Sequence, residues 1–299
     1  MNVRVTPLSK KQVTANFPKR PRDSHKGLFG TVAVIGGASG MIGAPLLAAR
    51  AALKLGAGCV HAGLLAENAP GVDLLQPELM LHSAADLLRP HLNPPPKGEG
   101  ASVRSIFNPD VFAIGCGLGT SLAAQKLLYE ALKRNAALVL DADALNLLAK
   151  HADLQDDLRG RKQPSVLTPH PGEAARLLAC DAKKIQADRV AAVRDLSQKF
   201  ACSVVLKGAE SLCATRGGKL FANKTGNPGM SSAGMGDVLT GMIAAFIAQG
   251  MTADDAMLLA VNLHGAAGDA LAEQGITIGM TASDVTEWAR WLLNQWVNN

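Results

Sequence analysis

"TVAVIGGASGMIGAPLLAARAALKLGAGCVHAGLL", residues 31–65, changes its period twice. It opens on a short β-rich run, "TVAVIGG", breaks at a glycine loop, continues as the longer helical run "APLLAARAALKLGAG", and returns to β-rich "CVHAGLL". Strand, helix and strand in that order predict a βαβ unit with parallel strands. The alternation recurs in "VFAIGCG" then "SLAAQKLLYEALKRNA", "ALVLDAD" then "ALNLLAKH", and "SVLTPHPG" then "EAARLLAC". The fold class is therefore α/β, with a mostly parallel sheet covered by helices. Three later runs, "SVVLKGAE", "SLCATRGG" and "KLFANKTG", follow one another too closely for crossover helices and predict an antiparallel edge. From Gly236 onward the pattern is helical to the end.

The chain has 299 residues, 48% of them hydrophobic, with a mean hydropathy of +0.13, enough to bury a large core. The proline-rich stretch "LNPPPKGEGAS", residues 92–102, supports neither helix nor central strand. Because βα units continue in the same style on both sides, it reads as a surface loop within a single domain spanning 1–299. The longest apolar runs, such as residues 238–248, fall well short of the roughly 20 residues of a membrane span. The start, "MNVRVTPLSKKQ", has no apolar signal-peptide core, and the five cysteines are scattered without a C-x-x-C pair. A cytoplasmic, membrane-free protein is expected. The net charge of +5 would suit nucleic acid, but charged residues are only 18% and aromatics 4%. No nucleic-acid partner is expected, and the basic excess at Lys10, Lys11, Lys19, Arg20, Arg22 and Lys26 reads as a solvated face.

In an open α/β sheet, ligands bind beyond the carboxyl ends of the strands. The chemistry-bearing residues stand there: Asp141 and Asp143 after "ALVL", His170 and Glu173 after "SVLT", and Lys207 after "SVVL". "GGASGMIG", residues 36–43, follows the first strand and opens a helix, the setting in which backbone N–H groups bind phosphate. It is not G-x-G-x-x-G. "YEALK", residues 129–133, imitates the Tyr-x-x-x-Lys pair of short-chain dehydrogenases, but Tyr129 falls in an amphipathic run and no serine stands about a dozen residues before it. There is no H-E-x-x-H, so a zinc site made by protein alone is not expected; magnesium held by nucleotide phosphates stays open.

"NPGMSSAGMGDVLTGMIAAF", residues 227–246, places one carboxylate, Asp237, among glycines at the start of an apolar run. A helix beginning near residues 232–236 would offer free N–H groups and a positive dipole end to a phosphoryl group. A carboxylate facing bound phosphate repels it, so Asp237 reads as a base that takes a proton from an attacking hydroxyl. The simpler alternative is an aspartate stabilised by the helix dipole.

These residues carry a family resemblance. The chain resembles the ADP-dependent NAD(P)H-hydrate dehydratases of the ribokinase-like superfamily, from "SHKGLFGTVAVIGG" to the C-terminus. It matches them in "GGASGMIGAPLLAARAALKLGAG", "PELML", "IGCGLG", "LDADALNLLA", "LTPHPGEAARLL", "VVLKGAES" and "NPGMSSAGMGDVLTG", in family order. The resemblance implies a three-layer α/β/α fold and ADP-dependent dehydration of the S-epimer of NADHX or NADPHX. The ring hydroxyl would be phosphorylated and the phosphate then eliminated, with Mg2+ and with ATP as another possible donor. It implies Asp237 as catalytic base and substrate contact; Ala44, Gly117, Gly119 and His170 as substrate-binding residues; and Lys207, Gly208, Ala209, Glu210, Ser211 and Gly236 as nucleotide-binding residues. Glu173 would act on the metal through water. A homotetramer is implied, as is functional pairing with an epimerase whose fused domain in some relatives has no counterpart here. Ser211 stands for the usual threonine, Met235 for the threonine of "GTGD", and Cys116 for a common proline, where a backbone role is expected. Two other readings remain: a ribokinase-like kinase of a vitamin-precursor alcohol, and a non-catalytic nucleotide-binding regulator.

Overall fold

The computed structural model describes residues 4–88 and 108–298, so the proline-rich stretch 92–102 lies outside the described residues. The strands are β1 (Val5–Pro7), β2 (Thr31–Gly36), β3 (Cys59–Leu64), β4 (Met80–Ser83), β5 (Val111–Ile114), β6 (Ala137–Leu140), β7 (Ser165–Leu167), β8 (Ser203–Leu206), β9 (Leu212–Ala214) and β10 (Leu220–Ala222). The α-helices are α1 (Lys10–Thr14), α2 (Gly43–Lys54), α3 (Ala84–Leu88), α4 (Leu122–Leu132), α5 (Asp143–Lys150), α6 (Ala152–Arg159), α7 (Pro171–Leu177), α8 (Ala182–Ala187), α9 (Arg189–Phe200), α10 (Met235–Ala248), α11 (Ala253–Glu273) and α12 (Ala282–Asn298).

The strands form one sheet in the order β1-β10-β9-β8-β7-β6-β5-β2-β3-β4. Among the described residues, only β9 runs against its neighbours, pairing antiparallel with β8 and β10, because segments 207–211 and 215–219 have room for turns but not for a crossover helix. β1 then joins β10 in parallel, so the reversed strand lies two strands in from the edge.

Strand alternation divides the core into two layers. Val32, Val34, Val111, Ala113, Val139, Val166 and Val205 point to one face, packed under α2, α10, α11 and α12. Ala33, Ile35, Phe112, Ile114, Leu138, Leu140, Leu167, Val204 and Leu206 point to the other, packed under α3 to α9. The architecture is thus three layers, helices on both faces of a mixed sheet.

Elements with weak periodicity escape the sequence pattern. β4 is a half-exposed edge strand without alternation, and β1 spans three residues. Tyr129 is 44% exposed on α4, as its amphipathic setting implies. All five cysteines are free thiols, and no helix among the described residues is long and apolar enough to cross a membrane.

Two close approaches position the site. A Cβ on Gly241 would lie 2.0 Å from the Ala48 carbonyl oxygen, so α10 and α2 pack backbone against backbone there. Gly115 takes φ +126°, and a Cβ there would meet the Asp141 carbonyl oxygen at 1.9 Å, so the chain after β5 presses against the end of β6. Strand order reverses between β2 and β5, which opens the crevice where ligands bind in such sheets.

Candidate active site

The loops after β2 and β5 meet across this crevice. Gly37 N donates to the Cys116 carbonyl at 3.2 Å, and Ala38 N donates to the Gly117 carbonyl at 2.7 Å. A Cβ on Gly117 would stand 3.2 Å from the Ala44 Cβ, so these two residues face each other. Gly119 N donates to Asp143 Oδ2 at 2.8 Å.

Helix α10 begins above the crevice. Gly234 caps it at φ +90° without a side-chain hydrogen bond, and the first turn carries Gly236 and Asp237. The first intrahelical bond is Val238 N to the Gly234 carbonyl, leaving the earlier N–H groups pointing outward. A Cβ on Gly236 would lie 3.1 Å from Lys207 Nζ and 3.5 Å from Asp141 Oδ2, so glycine allows the cation to approach the helix start.

Beneath lies a buried ion pair. Lys207 Nζ donates to Asp141 Oδ1 at 2.6 Å, Thr240 Oγ1 donates to Asp141 Oδ2 at 2.9 Å, and Lys207 Nζ is 3.9 Å from Glu173 Oε2. Burial alone would raise the Asp141 pKa; the Lys207 charge and the hydroxyls of Thr168 and Thr240 hold it below the ordinary value. Burial pulls Lys207 down, and Asp141 and Glu173 more than offset this, holding it above the ordinary value. Both members of the pair stay charged.

Asp237 differs. Burial pushes its pKa from 3.8 up to about 6; the Cys116 thiol lowers it, the Asp141 charge raises it, and Lys207 lowers it. Cys116 Sγ and one carboxylate oxygen each of Asp141 and Asp237 lie within 4.8 Å of one another. Burial, with Asp237 and Asp141 beside it, pushes the Cys116 thiol well up, so it stays protonated and donates to Asp237. Cys116 therefore has a backbone contact, through its carbonyl, and a side-chain contact as well.

The segment after β8 forms one wall of a cleft of about 660 Å³ lined by Lys207 to Ser211 and, opposite, by Met235 and Gly236. Ser211 Oγ donates to the Gly208 carbonyl at 3.0 Å, which holds the turn. Arg189 supports the segment from behind, donating to the carbonyls of Leu206 and Ala209. Asn223, Thr225, Asn227 and His264 also line it, and none of the four was singled out in the sequence. Only the turn-rich run "NKTGNPG", residues 223–229, offered a signal for three of them. Burial lowers His264 to about 4, keeping it neutral beside Lys207.

His170 and Glu173 cap α7 reciprocally. Gly172 N and Glu173 N donate to His170 Nδ1 at 3.0 and 3.3 Å, and His170 N donates to Glu173 Oε2 at 2.8 Å. Nδ1 therefore accepts, and the ring proton sits on Nε2, 3.2 Å from Glu173 Oε1. The structure thus gathers Gly236 and Lys207 to Ser211 in the cleft, sets Asp237 next to Gly236 in the first turn of α10 with Cys116 and Asp141 close by, puts Glu173 against Lys207, and places Ala44, Gly117 and Gly119 along the crevice at the carboxyl ends of β2 and β5.

The model of the NAD(P)H-hydrate dehydratase family matches residues 32–290. The chain belongs to the NAD(P)H-hydrate dehydratase family. An ADP-dependent (S)-NAD(P)H-hydrate dehydratase of Neisseria meningitidis serogroup B is 43% identical over 283 residues, covering 93% of this chain and 90% of the relative. A bifunctional NAD(P)H-hydrate repair enzyme of Coxiella burnetii is 40% identical over 289 residues, and the alignment covers 96% of this chain but only 55% of that enzyme. Among solved structures, the Bacillus subtilis ADP/ATP-dependent NAD(P)H-hydrate dehydratase, co-crystallised with ATP and Mg2+, superposes with a TM-score of 0.84 at 28% identity over 99% of each chain. A ribokinase-like superfamily protein of Enterococcus faecalis gives 0.82 at 25% identity, covering 99% of this chain and 97% of that one. The dehydratase fold here is therefore ribokinase-like.

Proposed function

We propose that this protein is an ADP-dependent dehydratase that returns the S-epimer of hydrated NADH or NADPH to the working cofactor. The observation that carries this reading is the state of the carboxylates at the crevice. Asp141 is held ionised by Lys207 and two hydroxyls, and Glu173 is engaged by His170 and Lys207. Burial raises the pKa of Asp237 to about 6, near the working range of a general base, and Asp237 stands in the first turn of α10 beside the cleft.

Water leaves a ring carbon poorly, so the hydroxyl is first made into a phosphate ester. Asp237 accepts the hydroxyl proton as the oxygen attacks the terminal phosphorus of ADP; a P–O bond forms, the bridging P–O bond breaks, and AMP departs. The outward N–H groups of α10 and the ammonium of Lys207 stabilise charge on the transferred phosphoryl oxygens. The neighbouring ring nitrogen then donates its lone pair, phosphate leaves with the C–O electrons, and loss of a proton from the adjacent carbon restores the dihydropyridine. The segment Lys207 to Ser211 with Gly236 binds the nucleotide, while Ala44, Gly117, Gly119 and His170 bind the hydrated cofactor.

The donor set fits Mg2+ carried on the nucleotide phosphates. Glu173 is an oxygen donor, and both its oxygens are already engaged, so it reaches a metal through water; Cys116, Asp141 and Asp237 include a soft thiol and do not match magnesium. When bound, the ion neutralises phosphate charge. The assembly is a homotetramer, which light scattering would test, and an epimerase supplies the S-form.

The test is ultraviolet absorbance of the purified protein with NADHX and Mg2+, with ADP, with ATP, or with no nucleotide. Return of the NADH band with ADP supports the dehydratase. Silence in every mixture from folded protein refutes it and favours an alcohol kinase.

A further inference from the structure

One fixed cation at the carboxyl edge of the sheet stands without an ionic partner among the described residues. Arg176 lies on α7, one turn beyond Gly172, and is exposed. Its Nε donates to Asn146 Oδ1 at 2.8 Å; Asn146 Nδ2 donates to Asp143 Oδ1 at 3.2 Å; and the other Asp143 oxygen accepts Gly119 N–H at 2.8 Å. This relay links the segments that follow β5, β6 and β7 into one polar band along the carboxyl edge of the sheet. The band begins at Gly119, in the crevice, and ends at Arg176, near His170.

The relay uses one of the three guanidinium nitrogens. Nη1 and Nη2 have no hydrogen-bond or ion-pair partner among the described residues. Nη1 points back along the helix, 3.9 Å from where a Cβ on Gly172 would sit. An ordinary surface arginine sweeps many rotamers and loses entropy when it binds. Here Asn146 already sets the plane of the fork, so less freedom is lost on contact with a ligand. A planar fork with two free donors matches two oxygens of a phosphate group. Arg176 is absent from the lining of the nucleotide cleft, whose phosphate end is served by Lys207 and Gly236. The remaining anion is that of the dinucleotide substrate, which carries a pyrophosphate and no carboxylate.

We propose that Arg176 grips the pyrophosphate of the hydrated dinucleotide, Nη1 and Nη2 donating to two of its oxygens while Asn146 holds the guanidinium plane. This rests on the dehydratase reading and assigns part of its substrate specificity. The hold is on a remote part of the substrate, made equally in ground and transition states, so it acts on KM and leaves kcat alone.

The experiment compares wild type with Arg176→Ala, Arg176→Lys and Asn146→Ala, using NADHX and NADPHX in turn with saturating ADP and Mg2+. Arg176→Ala should raise KM for both substrates alike by about tenfold or more, with kcat within about twofold of wild type and KM for ADP unchanged. Arg176→Lys should recover little, because a point charge does not replace the fork. Asn146→Ala keeps the charge but frees its plane, and should raise the same KM by a smaller factor. Melting temperatures near that of wild type exclude a folding cause. The proposal is overturned if KM stays within about twofold for either substrate, if only NADPHX is affected, which would assign the 2′-phosphate instead, or if KM for ADP rises in its place. Wild type inactive on both substrates would refute the dehydratase reading and this proposal together, and that result is seen before any variant is compared.

Discussion

Replacing Asp237 with asparagine keeps the shape of the side chain and removes its ability to take a proton, so the variant separates the stability cost of the site from its chemistry. The Asp237 carboxyl is shifted from 3.8 to about 6, chiefly by burial. A gap of about 2 pKa units corresponds to about 3 kcal/mol of preference for the neutral form, which we discount to about 2 kcal/mol because the side chain is partly open to the cleft. The folded pKa lies above the unfolded one. Below pH about 4 the group is protonated in both states and contributes nothing; between about 4 and 6 the unfolded chain loses its proton first, and stability falls; above 6 the full cost is present. Asparagine is neutral throughout. The variant should therefore be more stable than wild type by about 2 kcal/mol at pH 7, a rise of about 3 °C in melting temperature for a chain of this length, with the advantage vanishing near pH 4. Thermal melts at both pH values without nucleotide give one readout, and NADH regeneration gives the other, which should be abolished. An asparagine variant no more stable than wild type at pH 7 would refute the buried, destabilised carboxylate; substantial remaining turnover would remove Asp237 from the role of base.

The same shift predicts that kcat/KM falls about tenfold per pH unit below pH about 6, because the free enzyme must hold Asp237 deprotonated; a limb near 4 would contradict the geometry. Lys207→Met should cost about 3–5 kcal/mol in denaturant titrations by leaving Asp141, 1% exposed, without its counter-charge, and the double change with Asp141→Asn should recover much of that stability but no activity. Gly241→Ala places a Cβ 2.0 Å from the Ala48 carbonyl and should destabilise by about 3 kcal/mol or more, read as a drop in melting temperature; an unchanged melt would mean that α2 and α10 can separate freely.

The layered sheet was legible because its evidence is local. Residues 31–36 and 137–140 are short β-rich runs followed by helical ones, and a sheet buried on both faces is the physical solution to that order. The reversed strand could be inferred from loop length alone, since segments 207–211 and 215–219 leave no room for a helix. The sequence did not reveal that β1, at the start of the chain, would pair with β10. Three residues, Val5 to Pro7, carry no period, and the pairing is decided by which edge is left open once the rest has folded.

The site divides in the same way. Asp237 could be singled out because a lone carboxylate among glycines at a helix start is an electrostatic anomaly within a single stretch of sequence. The ion pair beneath it could not be read, although Asp141 and Lys207 were each noticed at strand ends. Their partnership spans 66 residues and depends on Gly236 allowing Lys207 Nζ to come close to the start of α10. Thr240, three residues past Asp237 and fully buried, has no mark in the sequence that sets it apart from its helix neighbours, yet its hydroxyl donates to Asp141 Oδ2. These hidden partners set the carboxylates apart electrostatically. At the crevice Asp141 is held in the charged form by Lys207 and its hydroxyl donors, Glu173 is tied to the His170 backbone, and burial leaves Asp237 poised to change state. A base must both hold and release a proton near neutral pH, so Asp237, which has no ion-pair partner among the described residues, is the one able to serve, and its raised pKa follows from the same burial that makes it costly to the fold.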